Sequence, residues 1–277
     1  MKKTLGILGG MGPAATADLY GKVVSLTAAT KDGDHIRTII DSNVNIPDRT
    51  QAILSGGENP IPEMTKALEN LIKCGAQIII VPCNTAHYFL PELKEAAKGL
   101  TRAANSTDDA ANDLTEAAKG KVEFISMIEE TAKACSQLMP KTAAVLATKG
   151  TLESGLYQKA LDELGVNYIV PDEAGKDVLM DVIYKGVKAG ADPSTYLPGF
   201  RALLDSLAEK GADYFVLACT ELPIAFRELL ESTAGTARQN ADGQPQPGTA
   251  CDGTYESVDP TEVLAIAAVK ACGYEVK

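Results

Sequence analysis

The chain contains no tryptophan, and aromatic residues make up only 5% of its 277 positions. A stacking platform for nucleic-acid bases is therefore not expected. Positive charge is in deficit: 26 Lys and Arg stand against 37 Asp and Glu, a formal net charge of −11. That balance argues against binding a phosphate backbone, and it requires any anionic substrate to find a local cationic pocket. No apolar run approaches the ~20 residues that span a bilayer, so no membrane partner is expected. The short apolar stretch Leu5–Leu8 fails as a signal peptide because Gly9, Gly10 and Gly12 cut it short, and the cytoplasm is the expected location. Of the six cysteines, Cys74, Cys83, Cys135, Cys219, Cys251 and Cys272, none forms a dense CxxC pattern. A disulfide scaffold is therefore not expected, and most of these residues read as free, buried thiols.

What is present is an alternation of short apolar runs with amphipathic stretches. Strands are predicted at Thr4–Leu8, Arg37–Ile40, Ala76–Val81, Thr142–Ala147, Tyr168–Val170 and Asp213–Leu217. Helices are predicted at Ala14–Thr27, Pro62–Cys74, Leu152–Leu164, Asp177–Ala189, Tyr196–Lys210 and Asp259–Ala271. The run Ala-Gln-Ile-Ile-Ile-Val shows no polar alternation, as suits a strand buried on both faces of a parallel sheet. The fold class is α/β. Two stretches read as inserts: Gly99–Lys121, rich in Ala, Asn, Asp and Thr, and Ser232–Ser257, expected to be a long surface loop.

An internal repeat organises these elements. Gly75-Ala76, an apolar strand, then Cys83-Asn84-Thr85 is matched by Gly211-Ala212, an apolar strand, then Cys219-Thr220-Glu221. Leu5–Val23 likewise resembles Val145–Leu161. Two half-chains thus each place one cysteine just past the carboxyl end of a strand, where α/β sheets bind ligands. Expected domains are 1–120 plus 258–277, and 121–257. A pseudo-twofold axis between them would bring the thiols face to face across a cleft.

Two thiols so placed form a two-base device. One thiolate removes the α-proton from one face of a carbon, and the opposing thiol returns a proton to the other, without any cofactor. A helix N-terminus after each cysteine favours the thiolate, and Asn and Thr side chains can bind a carboxylate or a developing enolate. The plainer reading, that both are small buried hydrophobes, is weakened by the matched pair and its polar neighbours. Cys83 and His87 share i, i+4 spacing, but no further ligands complete a metal shell, so no metal is expected. His87 reads equally as a partner of the first thiol or as a satisfied core residue. The first loop, Gly10-Met11-Gly12-Pro13-Ala14-Ala15, formally matches a dinucleotide-binding turn. An acidic residue at the right distance is lacking, Asp41 being late, and a dehydrogenase would leave the second cysteine half unexplained.

Several motifs in order resemble the aspartate racemase branch of the aspartate/glutamate racemase family: Gly6–Pro13, Ile46–Thr50, Pro82–His87, Ser126–Thr131, Leu146–Thr151 and Ala218–Glu221. The resemblance implies two Rossmann-like domains with parallel sheets related by pseudo-twofold symmetry, an active site in the interdomain cleft, a homodimer, and independence from pyridoxal phosphate, metals and nucleotides. By position it implies Cys83 and Cys219 as the acid/base pair. Asn84, Thr85 and Thr220 would hold the α-carboxylate and amino group, with Met11 and Thr148 lining the cleft. Arg49 and Lys176 would be the cations that select an acidic side chain. The implied reaction is interconversion of L- and D-aspartate or a related acidic amino acid. The alternatives are a one-cysteine chemistry such as maleate isomerisation or decarboxylation, or a non-catalytic binding protein for small metabolites.

Overall fold

The repeat in the chain becomes two parallel sheets of identical connectivity. The computed structural model describes residues 2–104, 122–139, 141–234 and 255–277. Among these, β1 (Leu5–Gly9), β2 (Thr38–Ser42), β3 (Ile78–Ile80) and β4 (Glu123–Phe124) form a sheet in the order β2-β1-β3-β4. The second sheet joins β5 (Ala143–Ala147), β6 (Tyr168–Ile169), β7 (Tyr214–Ala218) and β8 (Glu256–Val258) in the order β6-β5-β7-β8. Every strand pair is parallel. The central strands β1, β3, β5 and β7 are buried at each position, which accounts for their unbroken apolar sequences.

The repeat extends to single hydrogen bonds. Gly75 and Gly211 follow corresponding helices with φ of 91° and 98°, a left-handed turn that favours glycine. The next residues, Ala76 and Ala212, donate their N–H groups to Leu71 O and Leu207 O, at 3.0 Å in each case. Gln77 then donates to Thr4 O and Asp213 to Thr142 O, both at 2.9 Å, which sets the register of β3 and β7 against β1 and β5.

Helices cover both faces of each sheet. On one face of the first lie α3 (Ile61–Lys73) and α4 (Leu90–Ala104), whose Met64, Leu68, Leu71 and Leu93 are fully buried against Leu8 and Ile79. On the other lie α1 (Pro13–Leu26) and the closing helix α11 (Pro260–Ala271), with Leu19 and Leu264 against Leu5 and Ile7. The second sheet carries α5 (Met127–Ser136) and α7 (Leu156–Glu163) on one face. α9 (Leu197–Glu209) and α10 (Leu222–Ala234) cover the other. Apolar positions 64, 67, 68, 71 and 72 of α3 lie on one stripe at helical spacing. Truncating Leu68 there would cost about 2–5 kcal/mol.

The elements depart from the sequence reading in three places. The stretch expected as one helix, Leu152–Leu164, is two: α6 (Lys149–Glu153) and α7, separated by Gly155 at φ 68°. The helix expected at Asp177–Ala189 begins earlier, as α8 (Glu173–Met180), because Asp172 caps it by accepting from Gly175 N–H. It then continues as a π-helical segment, Asp181–Val187. The expected loop Ser232–Ser257 ends in a strand, β8, paired through Tyr214↔Glu256 and Phe215↔Ser257. Residues 99–104 belong to α4 and residues 232–234 to α10, while 105–121 and 235–254 lie outside the described residues.

Candidate active site

Each candidate thiol sits in the same local turn. Cys83 N–H donates to Val81 O at 2.9 Å, and Cys219 N–H donates to Leu217 O at 2.8 Å, a tight reversal that ends β3 and β7 and lifts the side chain off the sheet edge. Beyond Cys83 the chain makes a 3₁₀ turn (Thr85–Phe89) into α4, and beyond Cys219 it enters α10. Both thiols are free, buried, and face one narrow cavity of about 10 Å³. Met11, Arg49, Asn84, Thr85, Thr148 and Thr220 line the same cavity. The cavity adjoins an outer chamber of about 470 Å³, with Met11, Arg49 and Thr220 among the residues they share. The two halves meet here at close range: a Cβ on Gly150 of α6 would lie 3.0 Å from Thr50 Cα in α2 (Arg49–Ser55).

The thiols have opposite electrostatic neighbours. Arg49 is buried, and its guanidinium donates to Ile46 O (3.3 Å), Pro47 O (2.9 Å) and Met11 O (3.3 Å). Burial opposes its charge, but negative charge on Cys83, a hydrogen bond to that sulfur and the Asp48 carboxylate outweigh it, so its pKa lies above the ordinary value. Cys219 instead donates Sγ–H to Glu221 Oε2 at 3.0 Å. Burial and then the Glu221 carboxylate push this thiol well above its ordinary pKa, with Lys188 pulling only part of the way back. At neutral pH Cys219 therefore carries its proton.

Lys176 is not part of this constellation. It occupies the first turn of α8, where its Nζ is held by Glu153 Oε1 (2.6 Å) and Glu173 Oε1 (2.7 Å), away from the cavity. Because the helix starts at Glu173, the residues that turn toward the cleft come later. They are Tyr184, in the π-helical segment, and Lys188, just after it, whose N–H closes an i→i−5 bond to Ile183 O at 3.0 Å. Such π turns recur at functional sites. Lys188 Nζ lies 3.8 Å from Glu221 Oε1 and 4.4 Å from the Tyr184 ring centroid. Burial disfavours the ammonium, but Glu221, followed by Cys219 and Tyr184, holds its pKa above the ordinary value. Tyr184 Oη bridges the halves by donating to Asp48 Oδ2 at 3.0 Å. The sequence reading missed Glu221, Tyr184 and Lys188. The only signals were Glu221 beside the second cysteine and the i, i+4 spacing of the other two.

The Cys83 loop is tied to the second half at three points. Thr85, Thr148 and Thr151 hydroxyls form a closed set with Oγ1–Oγ1 distances of 3.0, 2.9 and 3.0 Å. Asn84 Oδ1 accepts from Tyr157 Oη at 2.6 Å. His87 Nε2 accepts from Met127 N–H at 3.0 Å, so its proton sits on Nδ1 and is donated to Cys83 O at 2.9 Å. Full burial pushes the His87 pKa down to about 4, and the ring stays neutral.

A larger cavity, about 1070 Å³, lies elsewhere, between α4, α5 and α7, and no cysteine is among the described residues that line it. Among the described residues, no cluster of three or more His, Cys, Asp or Glu could hold a metal, and no helix is long and apolar enough to cross a membrane.

Comparison with known proteins agrees with this architecture. A family model described as Asp/Glu/Hydantoin racemase matches residues 8–239. The broad specificity amino-acid racemase RacX of Bacillus subtilis is 29% identical over 231 residues, which are 79% of this chain and 85% of that protein. An aspartate racemase structure from Picrophilus torridus superposes with a TM-score of 0.72 at 26% identity, covering 99% of this chain and 96% of that one. A glutamate racemase of Francisella tularensis, in complex with D-glutamate, shares the fold at a TM-score of 0.56 and 14% identity, covering 98% of this chain and 81% of that one.

Proposed function

The chain belongs to the Asp/Glu/hydantoin racemase family and is an enzyme of the amino-acid racemase class; on that premise we propose that it interconverts L- and D-aspartate, or a closely related acidic amino acid, by proton transfer between Cys83 and Cys219. The observation that carries the reading is the pairing of unlike neighbours with like thiols in one cavity. A buried cation stands beside Cys83, and a buried carboxylate stands beside Cys219.

In one direction Cys83, next to the Arg49 guanidinium, acts as the base and takes the α-proton from one face of the substrate carbon. Electron density moves into the α-carboxylate, where Asn84, Thr220 and neighbouring N–H groups receive it. Cys219, kept protonated by burial and by Glu221, delivers a proton to the opposite face. The configuration inverts, no atom is gained or lost, and the two thiols have exchanged protonation states. The side-chain carboxylate of the substrate is met by Arg49 and Lys188, local cations in a chain of net charge −11. A homodimer working without added cofactor completes the proposal.

A broader substrate range is the second reading. It is favoured by the outer chamber, where Val44, Ile46, Val187 and Ile224 offer apolar surface to longer side chains. The likeness to a broad specificity racemase favours it as well.

The test is incubation with L-aspartate in heavy water without cofactor, followed by chiral chromatography and mass analysis, beside Cys83→Ser and Cys219→Ser. Deuterated D-aspartate from the wild type and strong loss in both variants support the two-thiol reaction. Turnover that survives either substitution removes it. A panel of other amino acids in the same assay separates the two substrate readings.

A further inference from the structure

Asn84 presents an unusual half-used side chain. It is 2% exposed and lines the cavity next to Cys83, yet its Nδ2 makes no hydrogen bond among the described residues. Its Oδ1, in contrast, is engaged by the Tyr157 hydroxyl at 2.6 Å. Tyr157 belongs to α7 in the second half of the chain and is itself fully buried, so it touches the cavity only through Asn84.

A carboxamide is nearly symmetric in shape, and packing alone barely distinguishes its two orientations. Chemistry at the cavity distinguishes them sharply. With NH₂ inward the group offers two donors to an anion; with oxygen inward it repels one. The phenolic hydroxyl selects between them by donating its O–H to Asn84 Oδ1, which leaves the NH₂ turned inward. Burial drives the Tyr157 pKa well above its ordinary value, so the hydroxyl keeps that proton throughout the working range. Leaving a buried NH₂ without an acceptor costs stability, because the group has given up its hydrogen bonds to water. That cost is recovered when a ligand oxygen arrives.

We propose that Tyr157 is a positioning residue of the reaction: by donating to Asn84 Oδ1 it holds the carboxamide with its NH₂ toward the cavity, where it binds the α-carboxylate of the substrate. The inference rests on the amino-acid reading above. It also gives the three ties on the Cys83 loop distinct tasks. The threonine hydroxyls and His87 fix backbone position, whereas Tyr157 fixes which end of one side chain faces the substrate.

The experiment measures calorimetric binding of DL-aspartate, and of 3-aminopropanoate, which keeps the amino group and the distal carboxylate but lacks the α-carboxylate. Four proteins are compared: wild type, Tyr157→Phe, Asn84→Ala and the double variant. The expected result is about tenfold weaker aspartate binding in Tyr157→Phe, with 3-aminopropanoate unchanged. In the Asn84→Ala background the Tyr157 substitution should add nothing further. Unchanged aspartate binding in Tyr157→Phe overturns the inference, and so does equal weakening of both ligands or full additivity in the double variant. If the wild type binds neither ligand, the acidic amino-acid reading fails and takes this inference with it. Should Tyr157→Phe not fold, wild-type protein labelled with ¹⁵N at asparagine carries the test through the Asn84 NH₂ resonances. Their displacement by aspartate but not by 3-aminopropanoate supports the assignment, and their indifference to aspartate overturns it.

Discussion

The sulfur of Cys219 lies 3.0 Å from Glu221 Oε2, two residues along the chain, and both side chains are buried. No carboxylate holds the equivalent place after Cys83, where Thr85 follows and the charged neighbour is Arg49. The two halves share a backbone plan but not an electrostatic one.

Replacing Glu221 with Gln keeps the shape and removes the charge. The carboxylate raises the Cys219 pKa, so its loss lowers that pKa, and the thiol gives up its proton at lower pH. In a Cys83→Ser background, the pH profile of Cys219 alkylation by iodoacetamide should move to lower pH. With both cysteines present, turnover should fall by roughly 10²-fold, as when a general acid is mistuned. An unmoved alkylation profile would detach Glu221 from the thiol.

The two lysines separate cleanly. Lys188→Met should raise the KM for aspartate by an order of magnitude or more, because a cation facing the cavity is lost. Lys176→Met should leave KM within about twofold, since its Nζ is held by Glu153 and Glu173 away from the cavity. Steady-state kinetics on both variants decides the matter, and the reverse ranking would restore Lys176 to the site.

Arg49→Lys keeps the charge but not the planar fork that reaches three carbonyl oxygens. A loss of roughly 10²-fold in kcat/KM is expected, together with a lower melting temperature, because Ile46, Pro47 and Met11 carbonyls lose donors. Parallel kinetics and thermal unfolding read the two effects. Wild-type activity in the lysine variant would show that charge alone suffices.

His87 makes stability depend on pH. Its folded pKa is lowered to about 4 from an ordinary 6.5, so the unfolded chain binds more protons between those values. Its contribution is complete above pH ~6.5 and is lost as pH falls toward ~4, by roughly 3 kcal/mol in all. Urea unfolding of the wild type should show that decline relative to His87→Gln, in which the differential slope disappears. Parallel slopes for the two proteins would place the ionisation elsewhere.

Gly150 sets the distance between the halves. An Ala there places Cβ 2.9 Å from Thr50 Oγ1, so α6 and α2 must separate. Destabilisation of about 1–3 kcal/mol is expected. KM should rise, since Thr50 and Thr148 both line the cavity and their spacing changes. A denaturation curve paired with KM checks this, and an unchanged KM would show the cleft to be insensitive to that contact.

Much of this protein was decided locally, and so could be read along the chain. An unbroken apolar run such as Ile78–Ile80 specifies a strand buried on both faces whatever surrounds it, and Gly75 and Gly211 specify the helix ends that precede β3 and β7. The matched cysteines follow from the same repeat, since each lies the same distance along the chain from the glycine that precedes its strand, Gly75 or Gly211. Six of the seven expected substrate-contacting residues accordingly line one cavity with both thiols. What tertiary structure alone decided is everything that depends on neighbours distant in sequence. Strand β8, with two of its three residues exposed, is a strand because β7 offers an open edge, not because of its own composition. Lys188 rather than Lys176 faces the cleft because the start of α8 at Glu173, capped by Asp172, and the π turn after it set the helix's phase. The unlike surroundings of two like thiols belong to the same class. The ionisation of a buried sulfur answers to the charges within a few ångströms of it, and folding assembled those from both halves of the chain.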